Sequence, residues 1–404
     1  MGTLAGVLLM LVLNYTIGFG TKPASSNAPK NLTSSQASSD AAFQEAMVKA
    51  ADIIDLLDMY YVDTIARDDL YEMMYSGLVY GVGDPYTAYL DAENFDRYMI
   101  DTEGEYVGIG IVVAADVERN RIVIVSPYEG HAGAKAGLLP GDEIIRVNGV
   151  DVFGDTLDYA VSVMRGEPNT NVNITVYRSS DNRTFDLDIT RERIQIPTVS
   201  HKMLDDQIGY LRITAFERVT LAQFKEALAD LQAQNMQGFI LDLRNNPGGL
   251  VDVVCDITDM LVPSGTIVST LDKYNEGETI TSDAKCIDMP LVVLVNGASA
   301  SASEILSGAV QDLNAGKLVG TQTYGKGLIQ SLFPFDDGSA LKITIAKYFT
   351  PNGICIQDEG IAVDYEIEMS DELSMQISSL TLDEDVQLQK AIEVVKEWQN
   401  TANE

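Results

Sequence analysis

Four runs in the second half of the chain are apolar almost throughout: IGYLRIT (208–214), GFILDLR (238–244), PLVVLVNG (290–297) and KLVG (317–320). Between them lie LAQFKEALADLQAQ (221–234), VDVVCDITDMLV (251–262) and ASEILSGAVQDL (302–313), which read as helices. A strand that is apolar on both faces must be covered on both sides, and strands joined through helices run parallel. Residues 187–370 are therefore predicted to form an α/β core with a largely parallel sheet covered by helices. In such sheets reacting groups collect beyond the carboxyl ends of the strands. Two glycine-rich turns fall there, RNNPGG (244–249) and NGASAS (296–301).

The rest of the chain is of different character. At 404 residues it exceeds one core, so a multidomain α/β and α+β protein is expected. Residues 1–20 carry no charge, and Leu4–Leu13 is almost wholly aliphatic. That pattern predicts a transmembrane anchor or a signal sequence. The missing basic flank and the lack of a small-x-small cleavage site favour the anchor. Either one places the remaining chain outside the cytoplasm, at the cell membrane or secreted. Residues 21–39, rich in Ser, Ala and Asn, read as a flexible linker. Residues 40–97 read as an N-terminal helical region, with Phe43, Met47, Ala50, Ile54 and Leu57 forming one apolar stripe. Residues 371–404 read as an acidic helical tail whose stripe is Leu388, Ile392 and Val395. The formal net charge of −33 excludes a nucleic-acid partner. Cys255, Cys286 and Cys355 show neither CxxC nor metal spacing and read as small apolar residues, so no metal and no cofactor are expected.

Residues 98–186 form a third type. YVGIGIVV (106–113) and RIVIVSP (121–127) are β-rich, LLPGDEIIRVNG (138–149) joins a Pro-Gly turn, a strand and an Asn-Gly hairpin signal, and LDYAVSVMRG (157–166) is helical. This order is similar to a PDZ domain. On that resemblance the loop Gly108-Ile109-Gly110-Ile111 would turn successive amides onto a peptide's terminal carboxylate, and the adjoining sheet edge would take the peptide as an extra strand. Arg165, at the helix end, would couple peptide to position, although a solvated arginine is the plainer reading.

The serines of NGASASASEIL (296–306) raise the question of chemistry. Ser301-Ala302-Ser303-Glu304 is a capping box, and judged locally the cap is the better reading. A histidine triad lacks a histidine: His131 falls in the PDZ-like segment and His201 in a linker. A buried lysine, neutral near physiological pH, remains possible as a base. TYGKGLIQ (323–330) offers Lys326, which alternatively is a solvated lysine in a turn. Gly320 to Lys326 also fits the start of a phosphate-binding loop, but Gly327 stands where Ser or Thr would hold the metal.

SASASEI (299–305) followed by TYGKGLIQ, together with GDPYTAYLDAENF (83–95), IGYLRITAF (208–216), ILDLRNNPGG (240–249) and ALKITIAKYFTPNG (340–353), resembles the C-terminal-processing peptidases, or tail-specific proteases. The likeness spans nearly the whole chain and departs at Val363, near which the family has proline. It implies a serine endopeptidase that captures the exposed C-termini of polypeptide substrates and cuts by a Ser–Lys dyad. The alternative is a silent PDZ scaffold. The resemblance assigns the nucleophile to Ser301, the base to Lys326, and to Gln330 the task of holding that lysine. The oxyanion hole would use the Ala302 amide and one from Gly248 or Gly249. A straight strand would hold Lys326 and Gln330 roughly 13 Å apart, so their contact requires a bend. Asp312, roughly 16 Å along the helix from Ser301, reads as structural. The family further implies a homodimer built from the N- and C-terminal helical parts.

Overall fold

The computed structural model describes residues 41–402, so the expected membrane segment at 1–20 and the linker at 21–39 lie outside the described residues. No helix among the described residues is long and apolar enough to cross a membrane. The chain divides into two compact units, one formed by residues 41–102 with 198–402, the other by Glu103–Pro197.

The first unit opens with α1 (Ala41–Tyr60) and α2 (Arg67–Tyr80), neither of which has a buried residue. Strand β1 (Ala88–Leu90) and α3 (Ala92–Glu103) follow.

The inserted unit holds β2 (Glu105–Gly108), β3 (Ile111–Asp116), β4 (Arg121–Pro127), α4 (Ala132–Lys135), β5 (Glu143–Val147), β6 (Val150–Asp151), α5 (Leu157–Met164), β7 (Asn171–Arg178), β8 (Arg183–Thr190) and β9 (Glu192–Gln195). Its main sheet runs β3-β4-β5-β7-β8 around a core that includes Ile122, Ile144, Val172 and Val176. The unit extends past the expected end at 186 because β9 pairs antiparallel with β2, zipping its exit to its entry.

The core resumes with β10 (Val199–Met203), β11 (Ile208–Ile213), α6 (Thr220–Ala233), β12 (Gly238–Asp242), α7 (Val251–Asp259), β13 (Gly265–Asp272), β14 (Thr279–Ser282), β15 (Leu291–Val295), α8 (Ala302–Asp312), β16 (Lys317–Gly320), β17 (Leu328–Pro334), β18 (Ala340–Phe349), β19 (Tyr365–Glu366), α9 (Asp371–Ser374) and α10 (Val386–Ala402). The sheet order is β10-β11-β12-β15-β16-β19, parallel except for β10 at the edge. Strand alternation sorts the side chains: Leu241, Val293 and Leu318 join a core with α6, α7 and α8, while Ile240, Val292, Leu294 and Val319 join one with α10. The tail helix thus covers the second face of its own sheet, with Leu388 and Val395 buried there. This corrects the expectation that its stripe serves a second copy of the chain. A five-stranded antiparallel sheet packs beside this core, with β1, β13 and β17 all paired to β18.

A buried ion cluster ties α10 to the end of β12. Arg244 is fully buried, donating to Asp242 Oδ2 at 2.6 Å and to Asp385 Oδ1 at 2.8 Å. Asp385 also accepts from the Leu388 amide in the first turn of α10. Removing one partner of a buried ion pair leaves a charge without compensation. Asp385→Ala is therefore expected to lower stability by about 3–5 kcal/mol. Urea unfolding measures this, and a loss below about 1 kcal/mol, the scale of an exposed pair, would show that the cluster does not hold the helix.

Candidate active site

The two glycine-rich turns meet at the carboxyl ends of β12 and β15. Ser299 Oγ donates to the Leu243 carbonyl at 2.8 Å and accepts the Asn296 amide at 2.9 Å, fixing one turn against the other. Ser303 Oγ donates to the Asn246 carbonyl at 2.9 Å, and the Ala300 amide donates to the same oxygen at 3.1 Å. The outer serines are thus bonded into the scaffold. Ser301, between them, has φ 54° and ψ −112°, a conformation that non-glycine residues rarely adopt. Such strain persists only where the surroundings over-determine it.

Glu304 supplies much of that determination. It is fully buried, and its Oε2 accepts the Ser301 amide at 2.8 Å and the Lys326 amide at 2.9 Å. Its Oε1 accepts Thr323 Oγ1 at 2.6 Å and the Gly325 amide at 2.7 Å. One carboxylate therefore places Ser301 beside the loop that carries Lys326. Burial pushes its pKa up, and these four donors pull against that shift. The Ser301 carbonyl accepts the buried Tyr348 hydroxyl at 3.0 Å.

Lys326 is fully buried, not solvated in a turn. Its Nζ lies 4.7 Å from the centre of the Tyr86 ring. Burial lowers its pKa to about 7, and Lys342 adds to that lowering, while Asp84 and Glu304 oppose it. Gln330 is also buried, but it makes no hydrogen bond to the lysine of the kind that the resemblance implies. Its Nε2 donates to Thr344 Oγ1 at 3.3 Å, and its Oε1 has no hydrogen-bond partner among the described residues. The bend that contact requires is partly present, as a register shift between Ile329 and Gln330.

The Ala302 amide opens α8, where the first N–H groups have no partner within the helix. Gly248, at φ 108°, packs against it: a Cβ there would lie 2.8 Å from the Ala302 nitrogen and 3.0 Å from Ser301 Cβ. The Gly248 amide donates to Asn246 Oδ1 at 2.8 Å. Gly249 sits so tightly on Phe216 that a Cβ would meet its carbonyl oxygen at 2.1 Å. Asp312 accepts the Asn352 amide at 2.9 Å, a structural bond at the far end of α8.

In the inserted unit Gly108 closes β2, Ile109 is buried, Gly110 has φ 71° and Ile111 opens β3. Arg165 stands over the Tyr106 ring at 5.0 Å, with its Cγ 3.8 Å from a Cβ built on Gly108, so it is beside the glycine loop. His131 pairs with Glu192 and His201 with Asp230. Of the cysteines only Cys255 is buried; Cys286 and Cys355 are half-buried.

Residues 207–367 match peptidase family S41, and residues 123–178 match a PDZ domain. The chain is 37% identical over 330 residues to a carboxy-terminal-processing protease of Bartonella bacilliformis, covering 80% of this chain and 75% of that relative. The chain belongs to the carboxy-terminal-processing peptidases of family S41. A carboxyl-terminal-processing protease of Synechocystis is 37% identical over 317 residues, covering 77% of this chain and 74% of the relative. A solved photosystem II D1 C-terminal processing protease is 29% identical, with a TM-score of 0.46 over 80% of this chain and 93% of that one. This family S41 member is a serine-type peptidase with a PDZ domain and an α/β protease core.

Sequence reasoning gave Glu304 only a capping role and did not single out Asp84, Tyr86 or Lys342. The signal for Glu304 was present in the capping box. For the others, the signal was a charged or aromatic residue within a strand-like run, which has no meaning until β1 is paired to β18.

Proposed function

We propose that this peptidase cleaves polypeptides by a Ser301–Lys326 dyad after capturing their C-termini in its PDZ domain. The observation that carries the reading is the shared Glu304 carboxylate, which draws strained Ser301 and buried Lys326 together. Neutral Lys326 takes the proton of Ser301 Oγ as that oxygen attacks the scissile carbonyl. The oxyanion receives the Ala302 amide and a second amide from the Gly248–Gly249 turn. Gly248 serves there only by exchanging Asn246 Oδ1 for the oxyanion. The Lys326 ammonium then protonates the departing amine, leaving an acyl-enzyme that water hydrolyses by the same route in reverse. Gln330 Oε1, buried and without a partner, is the acceptor that would steady the ammonium once it forms.

Gly108, Ile109, Gly110, Ile111 and Arg165 make the carboxylate site of the PDZ groove. A substrate peptide is expected to bind roughly ten- to a hundredfold more tightly than its C-terminal amide, the worth of a charge-assisted hydrogen bond. Fluorescence anisotropy on Ser301→Ala protein tests this, and equal affinities would remove the C-terminus from recognition.

Residues 1–20 fit an anchor that holds the peptidase at the outer side of a cell membrane, and α1 and α2, with apolar faces exposed at Ile53, Leu56, Met73 and Leu78, fit a homodimer contact. The silent-scaffold reading predicts peptide binding without products, so mass spectrometry of a digested unstructured peptide separates the two.

A further inference from the structure

A second amine is buried on β18, the strand paired with β17, which follows Lys326 directly. Lys342, on β18, is 1% exposed. It stands opposite Ala88 of β1 and Leu332 of β17, while Thr344 stands opposite Gln330. Side chains two apart on a strand share a face, so Lys342, Thr344 and Gln330 present one surface, along which the Gln330–Thr344 hydrogen bond runs. A lysine is almost never fully buried unless it is paired.

The counter-charge comes from the segment before β1. Asp84 accepts the Tyr86 amide at 3.0 Å and Thr87 Oγ1 at 2.5 Å, and Thr87 Oγ1 accepts the Thr344 amide at 3.1 Å. Asp84 is thereby tied to the strand that carries Lys342, and Tyr86 brings its ring under Lys326. The charged groups acting on Lys326 are Lys342, Asp84 and Glu304; Asp84 also favours the Lys342 ammonium, and the repulsion between the two lysines is mutual. Burial keeps the Tyr86 phenol neutral by raising its pKa. Lys342 is lowered to about 8, less than Lys326, and burial is the main cause in both. Between those values Lys342 keeps its proton while Lys326 gives its proton up.

We propose that Lys342 is a positioning residue for the peptidase reaction: its ammonium, balanced by Asp84, repels a proton from Lys326 and so holds the base in its neutral form. This rests on the reading of Lys326 as the base. A tenfold effect corresponds to about 1.4 kcal/mol of repulsion between the two charges.

The test is the pH profile of kcat/KM on the full chain with an unstructured fluorogenic peptide. Lys342→Met is expected to move the acid limb upward by about one pH unit, lowering activity below the limb about tenfold. Lys342→Arg, which keeps the charge, is expected to leave the limb in place. Asp84→Asn, which removes the opposing charge and keeps an acceptor for Thr87, is expected to move it downward. A folded Lys342→Met protein with an unmoved limb overturns the proposal. If that variant does not fold, Lys342→Gln decides, with the same upward shift expected, and an unmoved limb in that protein overturns the proposal. An active Lys326→Met enzyme would instead refute the dyad. An inactive one, together with an unmoved limb in Lys342→Met, refutes only the role of Lys342.

Discussion

Lys326→Met gives a folded protein with kcat lower by on the order of 10⁴ or more, and Ser301→Ala falls at least as far. The two losses do not add, because a nucleophile without its base and a base without its nucleophile fail at the same step. Single-turnover product formation checks this, and a variant retaining a tenth of wild-type rate would dismiss the dyad. Stability moves the other way. Lys326 has a folded pKa of about 7 against an ordinary value of 10.5, so between these values the unfolded chain binds more protons than the folded one. Wild-type stability therefore rises with pH across that window, and the cost of the buried amine is full below it. The methionine variant lacks this cost. It is expected to unfold at higher denaturant than wild type at pH 6, by several kcal/mol, with the gap closing toward pH 10. A constant gap would mean that Lys326 titrates normally. If Lys326 is the base, the acid limb of wild-type activity is expected near pH 7.

Glu304→Ala is expected to have an effect of similar size for a different reason. The change strips the acceptor from four donors, at Ser301, Thr323, Gly325 and Lys326, in a place water does not reach. Each buried donor left unmade costs about 1–3 kcal/mol, so the loss is comparable with the whole stability of many domains. Glu304→Gln is the sharper probe. It keeps the volume and one accepting oxygen, but its NH2 group faces two of the four donors instead of accepting them. Activity is expected to fall by about 10²–10³ with a smaller loss of stability, because Ser301 and Lys326 drift by the ångström or so that positioning catalysis does not tolerate. A Glu304→Gln enzyme with wild-type kcat would limit Glu304 to a helix cap.

The parallel sheet was legible because runs such as ILDL and LVVLV have no polar face to leave in water, and the helices between them leave only one arrangement. The position of the site followed, since both glycine turns fall at strand ends. Backbone strain at Ser301 was not legible: a serine at positive φ has the same letter as any other, and only the bonds to Glu304 and Tyr348 impose it. The apolar stripe of α10 was readable, but which surface it covers was not, because amphipathicity names no partner. Lys342, Asp84 and Tyr86 were hidden by distance along the chain, and so was Thr344, to which the Gln330 amide donates.

The pairing of β1 with β18 has a consequence for a protease that must first be made. Ala88 to Leu90 meet Ala340 to Lys342 across most of the polypeptide. During synthesis the serine loop and the Lys326 loop are both made before the strand that carries Lys342 and Thr344. On the proposed dyad, the nascent chain thus carries its nucleophile before the strand that helps to bury its base. On this account a half-finished molecule is expected to be poorly active toward its neighbours and toward itself, and full proteolytic competence to arrive only when β18 has paired with both β17 and β1.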